Sequence, residues 1–360
     1  MDQPSIIIHN KIVFFISFTL NILGATGIPL LSRLYFVHGG SRTWLTTWLQ
    51  NCGCPILLIP LAISYFCRLK TEGPNARITF TRPLWFLYLV LIGLILGLAA
   101  FLYSKGLQTL PLSTATILSA TSLVFLAFFA FLIVKQKFDA YTINALVLLL
   151  VGSILLGLKA GSDKPVGETK KTYILGFILF LVSMVLNGFG YPAMEFMYKK
   201  SKQQISFAFM MEVQLVVSFV CAAFATVAML INKDFQAIPG EAKEFELGEA
   251  KYYIILVSTC IFAQLYTLGL FGLLFSASAL IVGIANAGAY PITEVLSVII
   301  FHEKFQAEKG ISLALSLWGL ASYFYGEYKR EKKNQVKEAE IITISPTTII
   351  ETTPPANSHV

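Results

Sequence analysis

Ten apolar stretches, each near the length a helix needs to cross a lipid bilayer, dominate the chain and fix the solvent in which it can fold. They run at roughly 12–31, 44–66, 84–104, 110–134, 140–158, 172–197, 205–231, 252–275, 278–301 and 308–328. A helix needs about 20 residues to cross the ~30 Å hydrocarbon core, because lipid offers the backbone no hydrogen-bond partner outside the helix itself. Only 13% of the residues are charged, against the ~25% usual in soluble domains. Charged or turn-rich segments separate most runs, among them HGGSR at 38–42, KQKFD at 135–139 and KAGSDKPVGETKK at 159–171. The faintest break is Ser276, Ala277 and Ser278, between the eighth and ninth runs. Ala25-Thr26-Gly27 has the small residues of a signal-peptide cleavage site, but the run is ~20 residues long and continues through Pro29-Leu30-Leu31, which favours a retained helix.

The formal charge is +7, yet no nucleic-acid partner is expected, because Lys and Arg sit in loops beside apolar helices as topology signals do. They divide almost evenly between the two sides, with a small excess on the side holding both termini, which reads as cytoplasmic termini. KREKK at 329–333 suits an anionic leaflet. The five cysteines, four of them inside apolar runs, do not suggest a disulfide framework. Cys52 and Cys54, about 200° apart on one helix, are poorly placed to chelate a metal.

The two halves of the chain resemble each other. KQKFDA at 135–140 matches HEKFQA at 302–307, pairing Lys137, Phe138 and Ala140 with Lys304, Phe305 and Ala307; the same offset pairs Gly152 with Gly319. Gly27-Ile28-Pro29 faces Gly190-Tyr191-Pro192 and Tyr35 faces Tyr198; one residue of slippage then aligns Gln50 with Gln214. A repeat of five helices is odd, so the second copy enters the membrane from the side where the first left it. The expected fold is an all-α polytopic membrane protein of ten transmembrane helices in two inverted five-helix repeats, with a solute site between them near the midplane. The expected division is an N-tail at 1–11, repeats at 12–158 and 172–328 joined by a loop at 159–171, and a disordered cytoplasmic C-tail at 329–360.

The string GIPLLSRLYFVHGGSRTWLTTWLQNCGCPILLIP at 27–60 resembles the plant purine permeases, a branch of the drug/metabolite transporter superfamily. Its signature is carried by Leu31, Arg33, Tyr35, Phe36, Gly39 and Gly40, followed by Trp44, Leu45, Trp48, Leu49, Gln50, Gly53 and Pro55. Similar stretches are YSKGLQTLPLST at 103–114, QKF at 136–138, MMEVQLVVSF at 210–219 and FHEKF at 301–305. The resemblance spans about 12–328 and implies the drug/metabolite transporter fold and proton-coupled import of adenine, cytokinins or other nitrogen heterocycles; some relatives take alkaloids or vitamin-like compounds. The sequence departs from the family pattern where substrate choice is expected, with Ala115, Ser122 and Leu126 in place of Tyr, Gln and Asn, and with VGIANAGAYPITE at 282–294.

Ionisable and amide groups at bilayer depth are the candidate site, since each needs a partner or a purpose there. Glu212 lies among Phe209, Met210, Met211, Val213 and Leu215 with no Lys or Arg one turn away. Burial would raise its pKa toward neutrality, which suits the proton-coupling residue; a protonated, interhelical Glu is the structural alternative. Trp48 and Gln50, which the repeat equates with Glu212 and Gln214, offer an indole for stacking and an amide for reading a base. They point about 200° apart on a helix, and Asn51 shares the face of Trp48 and Trp44. Glu294 and Tyr290 flank Pro291, where a break in the ninth helix is expected to expose carbonyls. Tyr103, Asn187, Gln264 and Tyr266 are further polar positions in apolar runs; structural hydrogen bonding is the default for all four, and Tyr103 joins the candidates. The substrate-binding set is therefore Trp48, Gln50, Asn51, Tyr103, Glu212, Gln214, Tyr290 and Glu294. Glu195 pairs with Lys199 in the favoured helical order, Lys105 is read as ending the third helix, and Arg33, His38 and Arg42 flank the Gly39-Gly40 turn as either gate or solvated turn.

No P-loop, GxSxG or HExxH occurs, and His9, His38, His302 and His359 are scattered, so an integral membrane enzyme is a remote alternative. The expectation is a secondary transporter of the plasma membrane or an internal membrane such as the vacuolar one. It would use no cofactor and no metal, draw on a proton gradient, and have the lipid bilayer and a small heterocyclic molecule as partners. The alternative within transport is a carrier or exchanger of alkaloid or vitamin-like cations, with Glu212 or Glu294 as counter-ion.

Overall fold

A computed structural model describes residues 3–73, 83–135, 138–158, 170–201, 207–276, 279–302 and 307–344, and none of these forms a strand. The helices are α1 (Gln3–Val37), α2 (Thr43–Leu49), α3 (Leu58–Glu72), α4 (Pro83–Thr109), α5 (Leu112–Ser119), α6 (Thr121–Phe129), α7 (Ala140–Leu158), α8 (Lys170–Lys200), α9 (Phe207–Ile231), α10 (Asp234–Glu244), α11 (Glu249–Ser276), α12 (Ala279–Phe301) and α13 (Ala307–Ile344). Among the described residues, eight stretches are long and apolar enough to cross a membrane: Ile12–Val37, Thr43–Lys70, Pro83–Thr109, Leu112–Val134, Lys170–Lys200, Ala208–Ile231, Glu249–Leu274 and Ile281–Phe301. The fifth and tenth apolar runs fall on α7, apolar over the shorter span Ala140–Gly152, and on α13. Outward-facing side chains are those of a protein in lipid: Leu84 is 77% exposed and Ile231 75%, a surface that water would penalise and hydrocarbon does not.

Four local readings change. The second run is broken: α2 stops at Leu49, a turn occupies Gln50–Gly53, and a 3-10 turn at Cys54–Leu57 leads into α3. Pro55 has no N–H to continue the helical ladder, so Cys54 N–H closes back on Asn51 O at 3.1 Å and Ile56 N–H on Gly53 O at 3.0 Å. The expected break at Pro291 is absent, because α12 carries the proline inside a continuous helix. The polar segment after α9, which reads as a loop, holds α10. The last helix does not end near 328 but continues through the basic patch to Ile344. Of the repeated motif, Lys137, Lys304 and Phe305 lie outside the described residues, as do 159–169 of the loop between the halves and the tail from 345.

Three antiparallel helix pairs frame the bundle, each zipped by small residues. In α1 and α11 a Cβ on Gly24 would meet the Tyr266 backbone at 2.5 Å, and one on Gly269 would meet the Asn21 backbone at 2.3 Å. No larger residue allows this approach, and close backbone contact of this kind supplies helix association where lipid is as apolar as the side chains. α4 pairs with α8 through Gly106 against Phe180 and through Tyr88, whose hydroxyl donates to Ala193 O at 3.1 Å. α7 pairs with α13, where Ser312 Oγ donates to Gly152 O at 2.9 Å and Asn144 Nδ2 to Ser322 Oγ at 3.0 Å.

Buried charge is satisfied at helix ends. Arg33, only 8% exposed, donates to Leu107 O at 3.2 Å and Gln108 O at 3.3 Å, the carbonyls of α4's last turn, where a cation also meets the negative end of the helix dipole. α4 runs past Lys105, whose Nζ donates to Gln108 Oε1 at 2.9 Å. Glu195 pairs with Lys199 at 2.8 Å, and its other oxygen accepts the Ala279 N–H that opens α12 at 3.1 Å.

The broken second span packs on α11: the Cys52 and Cys260 sulfurs lie 3.5 Å apart, both as free thiols. Mild oxidation of the membrane-embedded protein is expected to join these two, because no rotation of either helix is needed. Peptide mass spectrometry checks this, and recovery of both as separate alkylated thiols after oxidation would show that the turn does not sit against α11.

Candidate functional site

The break in the second span opens onto a chamber between the helices. It consists of two adjoining cavities of about 150 Å³ and 120 Å³ that share Ile28, Gln50, Ala100, Asn187, Tyr191 and Tyr266. Each helix contributes from the middle of its length: α1 through Ala25 and Pro29, α4 through Leu96 and Tyr103, α8 through Met184 to Met194, α9 through Val217, Ser218 and Cys221, α11 through Ala263 to Phe271, and α12 through Asn286 and Tyr290. The site therefore lies at mid-span. Its volume is below the ~300–1,000 Å³ of pockets for drug-sized ligands, which favours a small flat solute.

Its walls are polar but uncharged. Four phenols (Tyr103, Tyr191, Tyr266, Tyr290) and four amides (Gln50, Asn51, Asn187, Asn286) face apolar neighbours, and among the described residues the lining includes no carboxylate, ammonium, guanidinium or imidazole. Three of these groups hold one another, and others are held by neighbouring serines. The Tyr191 and Tyr266 hydroxyls are 2.9 Å apart, Asn286 Nδ2 donates to Tyr266 Oη at 3.2 Å, and Tyr290 Oη lies 3.2 Å from Ser122 Oγ. Asn187 Nδ2 donates to Ser183 O at 2.9 Å, and Gln50 Nε2 reaches Ser104 Oγ at 3.4 Å. One acceptor is left over: Asn286 Oδ1 is buried with no hydrogen-bond partner among the described residues, a deficit of roughly 1–3 kcal/mol that a ligand N–H would relieve.

Of the residues singled out by sequence, Gln50, Asn51, Tyr103 and Tyr290 line the chamber. Asn51 reaches it because the helix has ended, so its expected alignment with Trp48 and Trp44 does not hold. Trp48 points the other way: its indole Nε1–H donates to Thr226 Oγ1 at 2.9 Å and its ring meets Phe235 edge-on. Glu212 is half-buried and outside the lining, about 140° and 120° around α9 from Val217 and Ser218. Gln214 is fully buried with neither end of its amide partnered among the described residues, on the face of α9 that carries Ser218 but below the chamber. Glu294, 2% exposed, sits one turn beyond Tyr290 and outside the lining. Asn187 and Tyr266, read as structural, are wall residues, whereas Gln264 packs under Gly53. Asn286, Tyr191 and Ser122 were not among the candidates; an amide inside VGIANAGAY is the signal that pointed to Asn286.

One end of the bundle is laced together by polar side chains. Seven residues beyond Ile28, Tyr35 donates its hydroxyl to Glu241 of α10, and Tyr252 Oη and Ser41 Oγ donate to the same carboxylate at 3.2 Å and 3.1 Å. Arg42 bridges Asp234 at 3.1 Å and Glu241 at 3.5 Å. Tyr35 stacks on Phe245, which in turn meets Tyr252 edge-on. The Gly39-Gly40 turn is thus tied to α10 by Ser41 and Arg42, while His38 bonds back to Leu34 O at 2.9 Å.

Comparison with known proteins agrees with a membrane carrier. The profile of a family described as purine nucleobase transmembrane transport matches residues 12–333. The chain is 43% identical to Purine permease 3 of Arabidopsis thaliana, over 92% of this chain and 95% of that protein. It is 41% identical to Purine permease 2 of the same plant, over 89% and 93%, and 32% identical to its Probable purine permease 5, over 91% and 89%. A solved crystal structure superposes with a TM-score of 0.52 at 18% identity, covering 87% of this chain and 99% of that one, a likeness of fold alone. With the profile spanning almost all of the membrane-embedded sequence and relatives matched nearly end to end, the chain belongs to the purine permease family of transmembrane transporters.

Proposed function

We propose that this chain carries neutral purine nucleobases and related nitrogen heterocycles, adenine and cytokinins among them, across the plasma membrane by alternating access, with a proton gradient as the energy source. The observation that carries the solute class is the chamber wall of phenols and amides without a charged group. A nitrogen heterocycle presents N–H donors beside lone-pair acceptors, and amides and hydroxyls answer both; its flat faces suit phenol rings. The names of the relatives point the same way. An alkaloid or vitamin-like cation would want a counter-ion inside this low-dielectric space, and Glu212 and Glu294 both lie outside the lining.

Ten spans in two inverted halves fit the helix pairing. Numbering the apolar runs in order, α1 with α11 is first with eighth, α4 with α8 is third with sixth, and α7 with α13 is fifth with tenth. Exchanging the halves turns the first pair into the second and returns the third to itself, as a pseudo-two-fold axis in the membrane plane requires. α7 and α13 present the same kind of outward face as the other spans: Ile143, Val147, Ile311 and Trp318 are all exposed. In alternating access the cluster at Glu241 would serve as the gate at its end of the bundle.

Purified protein in liposomes tests the reading directly. Radiolabelled adenine uptake is expected to be saturable, to accelerate when protons flow in with it, and to be inhibited by unlabelled adenine but not by permanently cationic alkaloids. Stronger inhibition by the cations would favour the counter-ion reading. For the coupling residue, Glu212→Gln is expected to flatten the pH dependence of uptake while the protein still inserts. If Glu294→Gln flattens it instead, coupling moves to the carboxyl beyond Tyr290, and an unchanged profile in both variants removes proton linkage from these two groups.

The laced end makes its own prediction. Glu241→Gln removes the charge that gathers Arg42, Tyr35, Tyr252 and Ser41, and charge-assisted hydrogen bonds are worth about 1.5–3 kcal/mol. A Ser122→Cys reporter in an otherwise cysteine-free background should therefore react about tenfold faster with an impermeant maleimide applied from the α10 side. An unchanged rate would mean that this cluster does not hold the end closed.

A further inference from the structure

We infer that Asn286, Tyr266 and Tyr191 form a hydrogen-bonded relay that selects solutes by the polarity of one edge, demanding an N–H donor beside a lone-pair acceptor. The inference rests on the chamber's reading as a heterocycle site and adds which side chains read the solute. The three residues come from α12, α11 and α8 and meet only in the folded chamber, where all three line the wall. Asn286 Nδ2 donates to Tyr266 Oη at 3.2 Å, and Tyr266 Oη lies 2.9 Å from Tyr191 Oη. In the arrangement where Tyr266 accepts from the amide and gives its proton to Tyr191, the proton of Tyr191 is left for a ligand. At the other end, Asn286 Oδ1 has no partner among the described residues although the residue is only 7% exposed. The relay thus ends in an acceptor at Asn286 and a donor at Tyr191.

The matching solute edge is an N–H next to an unprotonated ring nitrogen, as in an amidine. If the amide turns over, both ends reverse together, and the relay still offers one donor and one acceptor. A solute edge with no N–H leaves the buried carbonyl oxygen, or its reversed counterpart, unsatisfied. Tyr266 acts here as the positioning residue: its hydroxyl fixes which way the Asn286 amide faces.

The experiment compares inhibition of adenine uptake by 6-methylaminopurine, which keeps one exocyclic N–H, and by 6-dimethylaminopurine, which has none, in wild type, Asn286→Ala and Tyr266→Phe. All three proteins are quantified at the membrane before comparison. Wild type is expected to favour the monomethyl compound by about ten- to a hundredfold, the cost of one unsatisfied buried group. Asn286→Ala should bring the ratio close to one, because the demanding acceptor is gone; Tyr266→Phe, which opens no space for the second methyl, separates this from a gain in room. Tyr266→Phe, which keeps the ring and frees the amide to rotate, should lower the ratio by several-fold. A ratio in Asn286→Ala equal to wild type would show that bulk rather than the N–H is read, and would overturn the relay. If Asn286→Ala fails to reach the membrane, an unaltered ratio in Tyr266→Phe overturns it. Absence of any purine uptake by wild type would instead sink the functional reading itself.

Discussion

Close approach of helix backbones in a solvent that gives them no hydrophobic reason to associate is the constraint on which the rest depends. Between α1 and α11, Gly24 and Gly269 sit where any side chain would collide with the facing backbone. In lipid such contacts replace the hydrophobic effect as the source of specificity. The antiparallel α4 with α8 and α7 with α13 repeat the arrangement. The central chamber exists because these close pairs stand around it and α2 with α3 is broken beside it.

The break at Gln50–Gly53 shows how a local defect becomes a site. In lipid an interrupted helix is tolerated only where protein surrounds the freed backbone groups. Here Cys54 and Ile56 turn their N–H groups back into the turn, and α11 covers it through Cys260 and Gln264. The interruption delivers Gln50 and Asn51 to the cavity together. Pro291, by contrast, costs α12 one backbone hydrogen bond but does not end the helix, because α1, α5 and α6 pack along it.

Polarity is partitioned along the bundle axis. Among the described residues, the mid-span chamber is lined by neutral donors and acceptors, and the Asn286 carbonyl oxygen is buried there without a partner. Paired charges stand toward helix ends, with Arg33 on the carbonyls of α4, Glu195 between Lys199 and the start of α12, and Arg42 with Asp234 and Glu241 of α10. Ions placed there keep access to helix dipoles, to partners and to interfacial water, so the desolvation that would accompany them at the centre is avoided. A chamber without fixed charge can change the side it faces without moving an ion through the apolar middle.

The sequence alone determined the apolar spans and the family, because the length of an apolar run and a motif such as the one around Arg33, Tyr35 and Trp48 are local properties that no packing decision alters. It also marked Gln50, Tyr103 and Tyr290 as polar groups at membrane depth, since a single amide or phenol stands out in an apolar run. Which polar groups would meet was decided only in three dimensions. Trp48 and Glu212 stood among the candidates and Tyr191 and Asn286 did not, because rotation about each helix and register between helices set who faces inward. α10 was hidden because its polar, proline-bearing segment becomes ordered chiefly through contacts with Tyr35, Arg42 and Tyr252 far away in the chain. Periodicity within one helix carries no information about the register of its neighbours, and the site is made of that register.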